Sequence, residues 1–123
     1  MKKLLLIFGF LLGFSGAGIA DVLQAPSLWK NQRGSELKIT AVTNGSISGT
    51  FTNLDPTYQC QGIPYPVTGI TSGGLTTFTA NFVKCRTVTK WNGHAQGLGM
   101  SAPWLLRTNG QIQTGFDFFT RLY

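Results

Sequence analysis

Hydrophobic and polar residues alternate along much of this chain with the period of two that is typical of β-strands. Runs rich in Thr, Val, Ile and aromatic residues are separated at short intervals by Gly, Asn and Ser, and beyond residue 20 no run has the spacing of an amphipathic helix. The pattern predicts eight strands, at residues 28–32, 35–42, 46–52, 65–70, 75–82, 86–96, 102–108 and 115–122.

Short turns separate most of the predicted strands. Asn44-Gly45 is the strongest hairpin signal, because both residues tolerate the positive φ angles of a two-residue hairpin turn. The one long connection, residues 53–64, contains Cys60. A connection of this length predicts a lid or rim over the interior.

The fold predicted from these elements is all-β, an eight-stranded antiparallel up-and-down β-barrel wide enough to hold one small ligand. A two-sheet sandwich is the alternative. An outer-membrane barrel is disfavoured, because membrane-spanning strands need about 9 to 11 residues and most of the predicted strands are shorter.

The first 20 residues have a different character. Basic residues precede an apolar run from Leu4 to Phe14, and small residues follow up to Ala20, which is the layout of a bacterial secretory signal peptide. We therefore predict a signal peptide at 1–20 and one folded domain at 21–123, located in the periplasm or outside the cell. The apolar run is shorter than the roughly 20 residues of a membrane span, so no membrane partner is expected.

Composition narrows the function. The chain has ten Lys and Arg, four Asp and Glu and one His. Removing Lys2 and Lys3 with the signal peptide leaves eight basic residues against four acidic ones, and these are scattered, which favours solubilising surface charge over nucleic-acid binding. One histidine and four carboxylates offer little material for acid–base catalysis or a three-ligand metal site. We expect a binding protein that is not an enzyme and holds no cofactor or metal.

Two cysteines, Cys60 and Cys85, lie in this exported chain. In an oxidising compartment an even number of cysteines most simply forms a disulfide, and free thiols are the alternative. Such a bridge would stabilise the fold by roughly 3 kcal/mol through the entropy of the unfolded chain.

Strand parity places polar residues in the barrel interior. Alternate residues of a strand face the same side, and the apolar sets include Asn31, Ser35, Thr87, Thr89 and Asp117. Burying these groups without partners would cost roughly several kcal/mol. They either form a self-satisfied network with ordered water or line a pocket for a compact ligand with donors and acceptors. The aromatic residues available to wall such a pocket are Trp29, Phe82, Trp91 and Trp104.

Four segments, in order, resemble the avidin and streptavidin family of biotin-binding barrels. Residues 29–35 resemble the family's W-x-N-x-x-G-S, residues 48–51 its G-T-Y strand, residues 104–107 its W-L-L and residues 117–122 its closing D-x-F-T-R-L. The resemblance covers nearly all of the predicted mature chain.

The middle of the chain resembles one branch of this family. Residues 60–69 are similar to the C-Q-N-x-P-Y-P-x-x-G segment of the rhizavidin-like dimeric avidins, in which that cysteine bridges to one at the position of Cys85. The branch lacks the tryptophan that reaches a neighbour's site in tetrameric relatives, and residues 109–114 contain none here. The implied assembly is a homodimer.

The resemblance implies high-affinity, non-catalytic binding of biotin in the open end of the barrel. Asn31 and Ser35 would donate to the ureido oxygen, and Asp117 and the side-chain oxygen of Asn53 would accept from the ureido N–H groups. Charge-assisted hydrogen bonds of this kind are strong in a dry site.

The remaining family positions imply contacts with the rest of the ligand. Thr89 would contact the thioether sulfur, and Thr87 would face the valeryl carboxylate. Phe82, Trp91 and Trp104 would form the apolar walls.

Three departures from the family pattern stand out. Phe51 stands where the family has tyrosine, and the missing donor could cost roughly 1 to 3 kcal/mol of binding. The connection from Phe82 to Cys85 is shorter than in the dimeric relatives, and Phe82 replaces a tryptophan. Phe51 and the shorter connection motivate a second hypothesis, a barrel that has drifted to another small ligand. A third hypothesis is a secreted structural or adhesive module whose interior polar groups satisfy one another.

Overall fold

In the computed structural model, residues 23–123 are described, and they form a closed barrel of eight antiparallel strands. The signal peptide predicted at 1–20 and the domain boundary at residue 21 lie outside the described residues. The strands are β1 (Ser27–Lys30), β2 (Glu36–Thr43), β3 (Ser46–Thr52), β4 (Pro64–Ser72), β5 (Leu75–Phe82), β6 (Thr87–Gln96), β7 (Gly99–Thr108) and β8 (Gln111–Arg121).

Each strand pairs with the next along the chain, and β8 closes the barrel by pairing with β1. The closing seam joins Trp29 to Arg121 and Lys30 to Thr120. The predicted up-and-down barrel is therefore confirmed, and the sandwich alternative is wrong.

Two strands begin three or four residues earlier than the sequence pattern predicts. β7 starts at Gly99 and β8 at Gln111, because pairing continues to the edge of two-residue turns. In the β7–β8 turn, Asn109 and Gly110 have φ angles of 45° and 78°, and in the β2–β3 turn, Asn44 and Gly45 have φ angles of 50° and 82°. These are the positive values that a tight hairpin turn requires.

Alternation along the strands separates interior from surface, most regularly in β6, where buried and exposed residues alternate over all ten positions. Ile39, Ile47 and Met100 are buried near the β2–β3 and β6–β7 turns, so that end of the barrel is filled with apolar side chains. The interior remains open at the other end, which carries the β1–β2, β3–β4, β5–β6 and β7–β8 connections.

The long β3–β4 connection is fixed covalently. A disulfide joins Cys60 in this loop to Cys85 in a single 3-10 turn, Val83–Cys85, with 6.1 Å between the Cα atoms. The predicted pairing is confirmed, and the free-thiol alternative is wrong. Within residues 23–123, no helix is long and apolar enough to cross a membrane.

Candidate functional site

A cavity of about 440 Å³ occupies the open end of the barrel. It is lined by Asn31, Arg33, Phe51, Asn53, Asp55, Thr57, Tyr58, Phe82, Thr89, Trp91, Trp104, Leu106, Gln113 and Asp117. Its volume lies within the usual range of roughly 300 to 1,000 Å³ for small-molecule sites.

The polar end of the cavity is built around Asp117, whose side chain is only 2% exposed. One carboxylate oxygen, Oδ2, accepts a hydrogen bond of 2.9 Å from the Trp91 indole N–H. The other, Oδ1, accepts from the Gln32 amide at 3.3 Å and forms an ion pair with Arg33. A buried carboxylate is thus held in one orientation by groups from β6 and from the β1–β2 turn.

Asn31 sits at the end of β1 and shapes the turn that follows. Its side-chain oxygen accepts the backbone N–H groups of Arg33 at 3.0 Å and Ser35 at 2.9 Å. Two donors on one oxygen fix the orientation of the amide, which leaves the side-chain NH₂ of Asn31 as the group free to donate into the cavity.

Ser35 and Asn53 connect the β3–β4 loop to this turn. The Ser35 hydroxyl oxygen accepts the Leu54 N–H at 2.9 Å, which positions the start of the loop. The side-chain oxygen of Asn53 accepts the Asp55 N–H at 2.8 Å, and the Asn53 carbonyl accepts the Gly62 N–H at 2.7 Å, which closes the loop on itself. The loop therefore has a defined shape at the cavity mouth.

Aromatic rings form the apolar walls. Trp91 stacks on Phe78 with 4.9 Å between ring centroids and an interplanar angle of 14°. Phe51 lies 4.8 Å from the Trp91 ring and meets Phe82 edge-on at 6.0 Å. This packing holds Trp91 with its N–H aimed at Asp117.

Tyr58 supplies part of the rim from the β3–β4 loop. Its ring meets Phe82 edge-on at 5.8 Å, and its hydroxyl lies 2.9 Å from the Thr87 hydroxyl. Partial burial raises the pKa of Tyr58 above its ordinary value, an effect opposed by the Thr87 hydrogen bond. The phenol is therefore neutral at physiological pH.

A second carboxylate, Asp55, lies at the mouth. Hydrogen bonds from the Thr57 backbone N–H, at 3.0 Å, and hydroxyl, at 2.8 Å, lower the pKa of Asp55, and the charge of Arg33 lowers it further. The loop thus keeps a negative charge near the cavity at neutral pH.

Trp104 completes the wall from β7. Its ring lies over Gly115 of β8, where a Cβ atom would overlap the indole, so this position requires glycine. The Trp104 N–H is buried and has no hydrogen-bond partner within residues 23–123.

The structure brings most of the predicted site residues together. Those that line the cavity are Asn31, Phe51, Asn53, Phe82, Thr89, Trp91, Trp104 and Asp117. Ser35 and Thr87 are buried but do not line it, because their hydroxyls bond to Leu54 and Tyr58.

Sequence reasoning missed several lining residues. Two of them make specific contacts: Arg33 forms an ion pair with Asp117, and the Tyr58 hydroxyl is hydrogen-bonded to that of Thr87. Both belong to connections, where the two-residue period that identified the interior does not apply. The only available signal was the position of Arg33 inside the 29–35 motif.

The arrangement is suited to binding a small ligand. The cavity lining contains neither histidine nor cysteine. Within residues 23–123, no three His, Cys, Asp or Glu side chains are grouped to hold a metal ion. The cavity offers donors and acceptors at one end and aromatic walls along its sides, which fits a compact ligand with a polar head and an apolar body.

Comparison with solved structures finds the same barrel with a ligand. The chain is similar to bradavidin2 in a biotin complex, with 42% identity, a TM-score of 0.77 and coverage of 82% of this chain and 100% of that one. It is also similar to rhizavidin in a biotin complex, with 31% identity, a TM-score of 0.75 and coverage of 80% and 93%.

Comparison by sequence agrees. Afifavidin from Afifella pfennigii is 36% identical over 106 residues, which cover 76% of this chain and 67% of the relative. The model of the avidin family matches residues 20–122. With nearly all of the described barrel included in that match, this chain belongs to the avidin family.

Proposed function

We propose that this protein binds biotin with high affinity in the open end of its barrel, through hydrogen bonds to the ureido group and contacts with aromatic walls. Avidin-family homologues are non-enzymatic biotin-binding proteins, so this family member is a binding protein and not an enzyme. The observation that carries the proposal is the buried Asp117 carboxylate, oriented by Trp91 at the polar end of an otherwise aromatic cavity.

The polar groups complement a cyclic urea. The free NH₂ of Asn31 donates to the ureido oxygen, and Asp117 accepts a ureido N–H. Asn53 accepts the second N–H through the lone pair that Asp55 leaves unused. The Ser35 oxygen accepts from Leu54, so its hydroxyl hydrogen is left to donate to the ureido oxygen.

The remaining lining suits the rest of biotin. Phe51, Phe82, Trp91 and Trp104 enclose the fused rings, and Thr89 faces the thioether sulfur. The Tyr58 hydroxyl, which lines the cavity and is hydrogen-bonded to Thr87, receives the valeryl carboxylate.

Retention on biotin agarose, with free biotin as competitor, tests the proposal on the purified chain that begins at residue 21. We expect retention that free biotin reverses, and heat of binding in calorimetry at micromolar biotin. Flow-through of the protein together with no heat would overturn the function.

A second candidate ligand follows from Phe51. This side chain gives the ureido oxygen no hydroxyl donor, which favours a barrel that has shifted to a ligand with a different head group. A panel of biotin analogues separates the two functions, because tighter binding of an analogue without the ureido oxygen would support the shift.

We also propose that the protein is exported and forms a homodimer. Export is supported by the signal-peptide pattern of residues 1–20. Dimerisation is supported by an exposed apolar strip on the outer face of β8, formed by Ile112, Phe116 and Phe118. A second copy would remove this strip from water.

A further inference from the structure

Arg33 lies at the polar end of the cavity. It lies in the turn between β1 and β2, and its guanidinium forms an ion pair with Oδ1 of Asp117. The Arg33 side chain is 40% exposed, whereas the Asp117 side chain is 2% exposed. A cation from a surface turn therefore reaches an almost fully buried carboxylate.

The acceptor capacity of Asp117 limits how a ligand can bind. Oδ1 already receives Arg33 and Gln32, which fill its two lone pairs, and Oδ2 receives Trp91. A ligand N–H that bonds to Oδ1 must take the place of one of these donors.

Arg33 is the donor that can leave. The Gln32 side chain is fixed on β8 by two further bonds, to the Phe116 carbonyl at 3.0 Å and from the Phe118 N–H at 2.9 Å. The Arg33 guanidinium has no hydrogen bond other than that to Asp117 within residues 23–123, and its side chain is partly exposed.

A second carboxylate can receive the displaced side chain. Asp55 lies at the mouth of the same cavity, close enough for the charge of Arg33 to contribute to lowering its pKa. By moving toward solvent, Arg33 can exchange the carboxylate of Asp117 for that of Asp55. Its positive charge then still has a negatively charged partner.

We propose that Arg33 is an internal competitor of the ligand, because its guanidinium N–H and a ureido N–H of the ligand exchange at Oδ1 of Asp117. The inference rests on the proposed biotin function and adds a determinant of affinity to it. Since Arg33 must be released before a ligand N–H bonds to Oδ1, its ion pair lowers the observed affinity for neutral urea-type head groups that bind there.

The test compares wild type with Arg33→Met, which keeps an unbranched apolar stem and removes the charge and donors of the side chain. The ligand is biotinamide, whose uncharged tail avoids a direct effect of salt on the ligand. Lys38→Met is the matched control, since Lys38 is exposed on β2, carries the same charge and does not line the cavity.

We expect Arg33→Met to bind biotinamide about tenfold more tightly than wild type, and Lys38→Met to equal wild type. Raising salt from about 0.01 M to about 1 M shortens the screening length from about 30 Å to about 3 Å, so wild-type affinity should rise and that of Arg33→Met should stay constant. Equal or weaker binding by Arg33→Met would overturn the inference.

The Trp91 indole N–H resonance gives a readout that needs no ligand. It should shift between wild type and Arg33→Met, and salt should move it in wild type alone, because its acceptor is the carboxylate that Arg33 contacts. If the resonance shifts neither with the Arg33→Met substitution nor with salt, the ion pair between Arg33 and Asp117 does not form in solution and the inference fails. If neither wild type nor any variant binds biotinamide, the proposed function fails, whereas a wild type that binds at least as well as Arg33→Met rejects only the competition.

Discussion

Asp117 determines the polarity of the cavity, because its carboxylate is the buried charge to which Trp91, Gln32 and Arg33 donate. Replacing it by asparagine keeps the shape and removes the charge. We expect Asp117→Asn to weaken biotin binding by about 10- to 100-fold, since a hydrogen bond to a charged group contributes about 1.5 to 3 kcal/mol. Isothermal calorimetry measures the loss.

Asp55→Asn is the matched control for this substitution. Asp55 also lines the cavity, but it lies at the mouth and binds Thr57 of its own loop. Its loss should change affinity much less than the loss of Asp117. Equal effects of the two substitutions would contradict the assignment of Asp117 to the ureido group.

Phe51 offers the converse change, in which a donor is added. Its ring lines the cavity and packs against Trp91. A hydroxyl in Phe51→Tyr would add the missing donor to the ureido oxygen, and we expect affinity to rise about tenfold. Dissociation rates of labelled biotin measure the gain.

Phe119→Tyr tests whether position matters. Phe119 is fully buried 6.4 Å from Phe51 and does not line the cavity, so its added hydroxyl would have no ligand to meet. We expect no gain in affinity and a loss of about 1 to 3 kcal/mol in unfolding free energy. A gain in affinity from Phe119→Tyr would mean that the cavity opens differently from the structure.

Strand parity predicted which side chains point inward, but not which of them reach the ligand space. Asn31, Thr89, Trp91 and Asp117 were predicted in the interior, and they line the cavity. Thr87 was predicted on the same basis, yet its hydroxyl is covered by Tyr58. That cover comes from a loop, whose path depends on tertiary contacts that a two-residue period does not encode.

The β3–β4 loop is the element that controls the cavity mouth, and the Cys60–Cys85 disulfide is its anchor. The bridge closes a segment with a sequence separation of 25. We expect the double variant Cys60→Ser, Cys85→Ser to lose about 3 kcal/mol of unfolding free energy, because the unfolded chain regains the corresponding entropy. Denaturant unfolding measures the loss.

The same double variant should release biotin faster, since Tyr58 and Asn53 then lie on a loop that can open. Reductant provides the control: it should lower the stability of wild type and leave the double variant unchanged. If wild type and double variant unfold at the same denaturant concentration, the bridge does not contribute as proposed.

Tyr58 should make stability depend on alkaline pH. Burial raises its folded-state pKa above the ordinary value of 10.0, so the unfolded chain loses the phenolic proton first. The stabilisation is complete below about pH 10 and is lost as pH rises through the folded-state pKa. We expect the denaturation midpoint of wild type to fall more between about pH 8 and about pH 11 than that of Tyr58→Phe.

Tyr123→Phe serves as the comparison, since Tyr123 is exposed at the end of the chain. Its pH dependence should match that of wild type. A Tyr58→Phe variant with the wild-type alkaline slope would show that loop burial of Tyr58 does not couple to stability.

All eight strands could be predicted because alternation and turn residues are local signals. Asn44-Gly45 identified its hairpin directly, and its φ angles confirm the reason. The starts of β7 and β8 could not be placed, because Gly99 and Gln111 have no strand preference of their own. They extend the strands because the neighbouring strand offers each a backbone partner: Gly99 pairs with Gln96, and Gln111 pairs with Thr108.

At the scale of the whole molecule, the site exists only when the barrel closes. Arg33 and Asp117 are 84 positions apart in the sequence, and they meet because β8 pairs with β1. The seam is short, and the Gln32 side chain extends it by bonding to the β8 backbone as a neighbouring strand would. Binding and folding should therefore be coupled, since a ligand that bridges this seam stabilises the closed barrel.

The outer face of β8 makes the assembly testable. Phe116 and Phe118 are 54% and 49% exposed on one surface, beside Ile112. Aromatic side chains in this arrangement stabilise an interface by leaving water, and a buried charge at the same place would oppose it. We expect wild type to scatter light as a dimer and the double variant Phe116→Glu, Phe118→Glu as a monomer.

Ile70→Glu is the control for the added charge. Ile70 is 65% exposed on β4, which lies across the barrel from β8 in the strand order. This variant should remain dimeric, because its position lies away from the strip. A dimer in the β8 double variant, or a monomer in Ile70→Glu, would show that the interface lies on another face. A wild type that scatters light as a monomer would show that no such dimer forms.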